Sequence, residues 1–272
     1  MFVFMIKFGC LGVYKMQLKW KQKDFNADLD FILFHQRDDT PSWWRKQLFN
    51  AYPELNYEQT WSLPQEQRFK YIAEQMKIQA KKRKEIINNS IKTFQRNWDA
   101  QIADKLNAAY ASAFDNDCTD VLNDMVANVG LNPICPRDIK SHGFDIYHYF
   151  DTQYAIQAAL HEITHFVWFY FWQKQFLDDP SEYDFPQIKW LLSELVVETI
   201  NRNSKINELA EAPQYIAYSY FYDMDIGGEY VFDTLKHLYL ERCDIYDFME
   251  KAFDWIKSNE PELRKKIAEA EK

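Results

Sequence analysis

The stretch from residue 152 to 176, TQYAIQAALHEITHFVWFYFWQKQF, runs for twenty-five positions without a glycine or a proline. Nothing in it breaks a helix, and Asp151 and Thr152 supply capping side chains at its start. Its aromatic residues Phe166, Trp168, Phe169, Tyr170, Phe171 and Trp172 occupy nearly the whole circumference. A helix apolar on all sides has to sit at the centre of a molecule, so these rings are read as core packing and the rest of the chain must cover them. Only 6 glycines and 9 prolines occur in 272 residues, against 17% aromatic residues, which excludes turn-rich sandwiches and collagen-like repeats. The expected class is α+β and mostly helical.

Around that centre the chain divides into recognisable segments. Alternation from Met16 to Lys21 and a second apolar run from Asp28 to His35 predict a β-hairpin. Residues 64–114, rich in Lys, Glu, Gln and Ala, predict two or more helices, with the KKRK cluster at 81–84 on a solvated face. A helix is expected over 120–129, ended by Gly130 and the loop NPICPR, and a strand over GFDIYHYFD at 143–151. Beyond the central helix, the loop 178–186 with its two prolines precedes a helix over 187–202. Three more helical stretches follow near 213–222, 229–241 and 244–271. No repeat is visible, so one domain spans 1–272, with sheet and helices in 16–150 and the central helix and a helical half in 151–272.

Within the central helix stands His161-Glu162-Ile163-Thr164-His165, an H-E-x-x-H pattern. Two histidines four apart stack one turn above each other, so both imidazoles can reach a single zinc ion, while Glu162 about 100° round faces a water on that ion. Zinc held by two histidines needs a third protein ligand. The downstream helix IKWLLSELVVETINRN offers Glu194 and Glu198 among Trp190, Leu191, Leu192, Leu195, Val196 and Val197, where a carboxylate is costly to bury unless paired or bound to metal.

In H-E-I-T-H at 161–165 followed by S-E-L-V-V-E at 193–198, the sequence resembles the gluzincin clan of zinc metallopeptidases. The likeness covers about residues 144–240. It implies a zincin-like fold in which a small sheet packs on the metal helix and the strand before that helix forms a substrate-lining edge. It implies Glu194 as third ligand and Glu198, where the clan has aspartate, as the acceptor from a zinc-bound imidazole. The metzincin pattern is absent, because Trp168 stands where its glycine would be. The implied activity is peptide-bond hydrolysis of a peptide or protein substrate, with Glu162 as general base. For the donor that steadies the developing oxyanion, the candidates are Tyr218, Tyr220, Tyr222, Tyr230 and His237, and Tyr230, just after Gly227 and Gly228, is the expected one.

Other functions fit less well. A formal net charge of −9 opposes binding to nucleic acid or to anionic membranes. The four cysteines form no C-x-x-C pair, which disfavours a cysteine zinc site and suits a reducing, cytoplasmic setting. Cys135 reads as a small buried thiol rather than a nucleophile. Residues 1–15 are apolar but interrupted by Lys7, so they read as a first strand or an extension from an upstream start codon rather than as an anchor. His35, His142, His148 and His237 are read as surface or structural histidines. The competing reading is a non-catalytic, helical partner-binding protein with a structural or vestigial zinc site. The oligomeric state is not encoded in any pattern.

Overall fold

The computed structural model describes residues 18–210 and 217–270. It opens with a short strand, β1 (Lys19–Gln22), followed at once by helix α1 (Phe25–Phe34). Asp24 caps that helix, accepting the Asn26 and Ala27 amides at 3.0 Å, and Phe25, Leu29, Ile32 and Leu33 recur at helical spacing against the core. The hairpin expected over 16–35 is therefore not formed; Met16 and Gln17, like residues 1–15, lie outside the described residues.

The true partner of β1 is β2 (Val126–Gly130), parallel to it with Lys19 opposite Val126. Six helices intervene: α1, already described, then α2 (Ser42–Ala51), α3 (Tyr57–Trp61), α4 (Gln65–Gln101), α5 (Leu106–Phe114) and α6 (Thr119–Leu122). The expected helix over 120–129 shrinks to one turn, because Asp124 takes a left-handed conformation at φ 58° and the chain leaves as an extended strand. α4 is a single 37-residue helix whose KKRK cluster is largely exposed. Such a helix sustains its length by packing its Ile72, Met76, Ile87, Phe94 and Trp98 face inward.

Two more strands, β3 (Arg137–Asp138) and β4 (Gly143–Tyr147), complete a sheet of order β1-β2-β4-β3. The first three strands are parallel and β3 is antiparallel at the margin. β4 thus appears where the sequence placed a strand, but it is not an edge. Arg137 and Asp138 pair with Phe144 and Gly143, and the Pro136 carbonyl accepts the Asp145 amide at 2.9 Å. The strand implied as a substrate-lining edge is thus covered on its outer side from Gly143 to Asp145.

At the end of β2 the backbone has to come close to α1. Asp28 of α1 accepts the amides of Leu131 at 2.6 Å and Asn132 at 3.2 Å. A side chain at Gly130 would place its Cβ 2.6 Å from Asp28 Oδ2, so only glycine permits this approach.

From β4 the chain turns into the central helix α7 (Thr152–Phe176), as expected. Asp151 caps it by accepting the Tyr154 amide at 2.8 Å, and Leu177 ends it at φ 53°. A 3₁₀ turn at Pro180–Tyr183 leads to α8 (Ile188–Arg202). Residues 211–216, in the expected 213–222 helix, lie outside the described residues; the rest of it holds one 3₁₀ turn, Ser219–Phe221. A small hairpin of β5 (Asp225–Ile226) and β6 (Glu229–Tyr230) turns on Gly227 and Gly228, both at positive φ, so helix α9 (Val231–Leu240) begins after Tyr230 rather than before it. Helix α10 (Ile245–Ala270) closes the described chain. α7 packs against α4, α8, α10 and β4, and Trp168, Phe169, Phe171 and Trp172 are buried in the core. Mostly helical with a small mixed sheet, the fold is α+β. Among the described residues, no helix is long and apolar enough to cross a membrane.

Candidate metal centre and its cavity

On α7, His161 and His165 point their Nε2 atoms at one another across 3.1 Å. From α8, the Glu194 carboxylate reaches them both, 3.8 Å from His161 Nε2 and 3.6 Å from His165 Nε2. All three residues are buried, and their donor atoms lie within 4.8 Å of one another. Ligands about 2.0–2.2 Å from one ion at tetrahedral angles stand somewhat over 3 Å apart, so two imidazoles and a carboxylate at these spacings fit a single metal ion. The cluster could therefore bind a metal. Both Nδ1 atoms, and Glu162 Oε2 beside them, are buried and carry no partner among the described residues.

The register that brings α7 and α8 together is fixed one residue away from the cluster. Thr164 Oγ1 lies 2.7 Å from Asn201 Oδ1 on α8 and 2.8 Å from the Tyr110 hydroxyl on α5. Asn201 is two helical turns beyond Glu194, so the contact that holds the helices also aligns the carboxylate with the imidazoles.

A residue the sequence reading missed completes the charge balance. Arg137 on β3 donates to Glu194 Oε1 at 3.1 Å and to Ser193 Oγ at 3.4 Å, with its guanidinium 5.7 Å from the centre of the Phe169 ring. Arg137 follows a proline loop and has no periodic pattern around it. Only the pairing of β3 onto β4 delivers it to α8.

Burial acts first on every titration here. It pushes the Glu162 carboxyl up to about 7, against the pull of His161 and Arg137. It drives His165 down to about 3, with Arg137 assisting. Burial also opposes charge on His161, but its hydrogen bond and charge contact with Glu194 outweigh that and raise it. Burial works against ionisation of Glu194 too, yet the two imidazoles and Arg137 hold its carboxylate well below the usual range.

Glu198 is buried one turn beyond Glu194, but it does not turn to an imidazole. Its Oε1 accepts from Arg202 Nε and from the Tyr222 hydroxyl. That hydroxyl in turn accepts the Ala217 amide at 3.3 Å. Glu198 thus anchors the segment after residue 216 rather than orienting a histidine, because Arg202 is a charged donor on its own helix face and out-competes a neutral ring.

His161 and Glu194 of the cluster, together with Glu162, line a cavity of about 520 Å³, with His165 buried behind them. Tyr218 and Tyr220 line it; Tyr230 does not, being 53% exposed at the start of α9 on the far strand of the β5–β6 hairpin. His237 is likewise exposed, paired with Glu241 at 3.2 Å. Burial, reinforced by the nearby Glu194 and Glu162, raises the Tyr218 hydroxyl well above the usual phenol range. Cys135 also lines the cavity, with its thiol pushed up by burial and held neutral. The remaining histidines are structural or exposed: His35 and His148 bond through Nδ1 to the carbonyls of Phe31 and Gly130, and the His142 ring packs edge-on to Phe166. The chain matches no protein-family model, no curated protein and no solved structure.

Proposed function

We propose that the chain is a zinc-dependent metallopeptidase of gluzincin type, hydrolysing peptide bonds in a peptide or protein substrate. The observation that carries this reading is the convergence of His161 Nε2, His165 Nε2 and Glu194 on one point, beside a cavity that His161, Glu162 and Glu194 line. Two imidazoles and one carboxylate are a donor set that zinc accepts in hydrolytic enzymes. The cluster has three protein donors among the described residues, and Glu198 is engaged by Arg202 and Tyr222. A site with three protein donors suits catalysis better than the closed, four-ligand site of a structural zinc.

Bound there, zinc supplies Lewis acidity, which polarises a carbonyl and makes a water more acidic. The chain's own groups do the rest. Glu162 accepts the proton of the attacking water and returns it to the amine as the C–N bond breaks. Tyr218 donates its hydroxyl to the oxygen on which charge develops. Arg137 keeps Glu194 ionised and in place. The thiols of Cys118, Cys135 and Cys243 are free and suit a reducing, cytoplasmic setting.

The test is elemental analysis of protein purified without a metal-binding tag, joined to hydrolysis assays on a peptide library. One zinc per chain is expected, and Glu162→Gln should keep that zinc while losing about 10²- to 10⁴-fold in turnover. Metal-free native protein, or a Glu162→Gln variant as active as the parent, would end the peptidase reading.

A further inference from the structure

The cavity beside the metal cluster is walled largely by aromatic rings, several of them on elements that supply no metal donor. Trp43 and Trp44 come from α2, and Tyr218 and Tyr220 from the segment after residue 216. Behind them Phe185 and Trp190 close a circuit. Successive ring centres lie 5.3 Å (Tyr218 to Trp43), 5.1 Å (Trp43 to Trp44), 5.3 Å (Trp44 to Phe185), 5.0 Å (Phe185 to Trp190) and 6.0 Å (Trp190 back to Tyr218). Tyr220 stacks on Tyr218 at 5.6 Å. A second aromatic pair on the lining, Phe150 and Tyr154, stands 4.6 Å apart.

These spacings are those of favourable edge-to-face and offset contacts, so each ring holds its neighbour in place. The wall is therefore rigid before any ligand arrives. Its charge is equally telling. Among the described residues no lysine or arginine lines the cavity, and the acidic and histidine side chains that do are His161, Glu162 and Glu194. Away from the metal cluster, an anionic side chain against the ring wall would be stripped of water and find no described cation to pair with. A flat, uncharged ring would instead bury its whole surface against other rings.

We infer that this wall is a side-chain pocket selecting a bulky aromatic residue of the substrate, next to the bond that is cut, and rejecting acidic ones. The scissile bond rests on the peptidase reading; the pocket's preference does not, because it can be read by binding alone. A lysine or arginine side chain lying over the ring faces is the rival occupant, and the same ligands separate it.

The experiment is a binding series on the full chain as purified, with and without one equivalent of added zinc, monitored by ligand-observed NMR and calorimetry. The probes are the N-acetyl amides of Trp, Phe, Leu, Lys, Glu and Gly. Acetyl-Trp-amide and acetyl-Phe-amide are expected to bind at least tenfold more tightly than acetyl-Glu-amide and the glycine probe. Tyr220→Ala, in the short 3₁₀ turn Ser219–Phe221, should remove most of that margin, and Trp43→Ala should do the same if it folds. Equal binding across the series, acetyl-Lys-amide as the tightest ligand, or undiminished preference in Tyr220→Ala would each overturn the pocket. Absence of hydrolysis with the aromatic preference intact would instead strike the peptidase reading alone.

Discussion

Two clusters of buried acids and histidine sit in this protein, one between α7 and α8 and one where the parallel strands meet α1. The second holds Asp28, Asp145 and His148, each at most 4% exposed, with Lys23 donating to Asp145 at 2.8 Å. By residue type and burial the two are alike. They differ in where the lone pairs go. Asp28 gives both oxygens to the Leu131 and Asn132 amides, and His148 gives Nδ1 to the Gly130 carbonyl. In the α7–α8 cluster the imidazole nitrogens and a carboxylate face one another instead. Asp145 Oδ2 and His148 Nε2 are also buried without a partner, so neither burial nor an unpaired atom marks a site; convergence of donors on one point does.

The largest test of that contrast is to remove one histidine from each cluster. His165→Ala is expected to abolish zinc binding and turnover together, while His148→Ala keeps one zinc per chain and loses only stability. Metal analysis of the two purified variants decides it, and zinc loss in His148→Ala would collapse the distinction.

The two clusters were also unequally legible in the sequence. His161, Glu162, His165 and Glu194 could be read because i, i+4 spacing and an acid on an apolar helix are local patterns, and α7 and α8 formed within a residue or so of the expected bounds. The strand-end cluster depends on the parallel pairing of β1 with β2, about a hundred residues apart, and Arg137 on the seating of β3 against β4. No local signal carries that. Reading residues 28–35 as a strand failed for the same reason: an apolar run of that length suits either element, and the Asp24 cap decided for helix. Tyr230 was misjudged because a glycine pair implies close backbone but not what it approaches; here it turns a hairpin at the surface.

The strand-end cluster makes its own prediction in pH. Burial raises the Asp28 carboxyl from 3.8 to about 6, opposed by the two amides and by Lys23 and reinforced by Asp145. Between those values the folded chain keeps a proton that the unfolded chain has released. Stability should therefore fall as pH rises from about 4 to 6, by roughly 3 kcal/mol from this group, and level off above. Urea midpoints compared with Asp28→Asn check it, since the variant should lack this slope. Matching slopes in both proteins would assign the effect elsewhere.

A smaller cost is expected from Gly130→Ala. Its Cβ would stand 2.6 Å from Asp28 Oδ2, and two backbone amides pin that carboxylate. Displacing it should cost about 1–3 kcal/mol with zinc content unchanged. A neutral substitution would show that α1 slides without loss and that the strand-end cluster is loosely held.

The smallest effect expected is also the one that joins the metal helix to the cavity wall. Tyr222 donates its hydroxyl to Glu198 and accepts the Ala217 amide, one residue before Tyr218. Tyr222→Phe removes this strut but keeps the ring, which packs 4.9 Å from Phe232. Glu198 retains Arg202, so the metal cluster and its zinc should be untouched. What changes is the tether on the Tyr218 segment. Losing a hydrogen bond to a charged acceptor is worth about 1.5–3 kcal/mol at most, part of which Tyr218 recovers by packing on Trp43 and Trp190. A fall in turnover of about 3- to 10-fold is expected, with faster hydrogen exchange at the amides of 217–220 and normal zinc content. Unchanged exchange there would mean that the aromatic circuit alone holds the wall, and that Glu198 serves only its own helix.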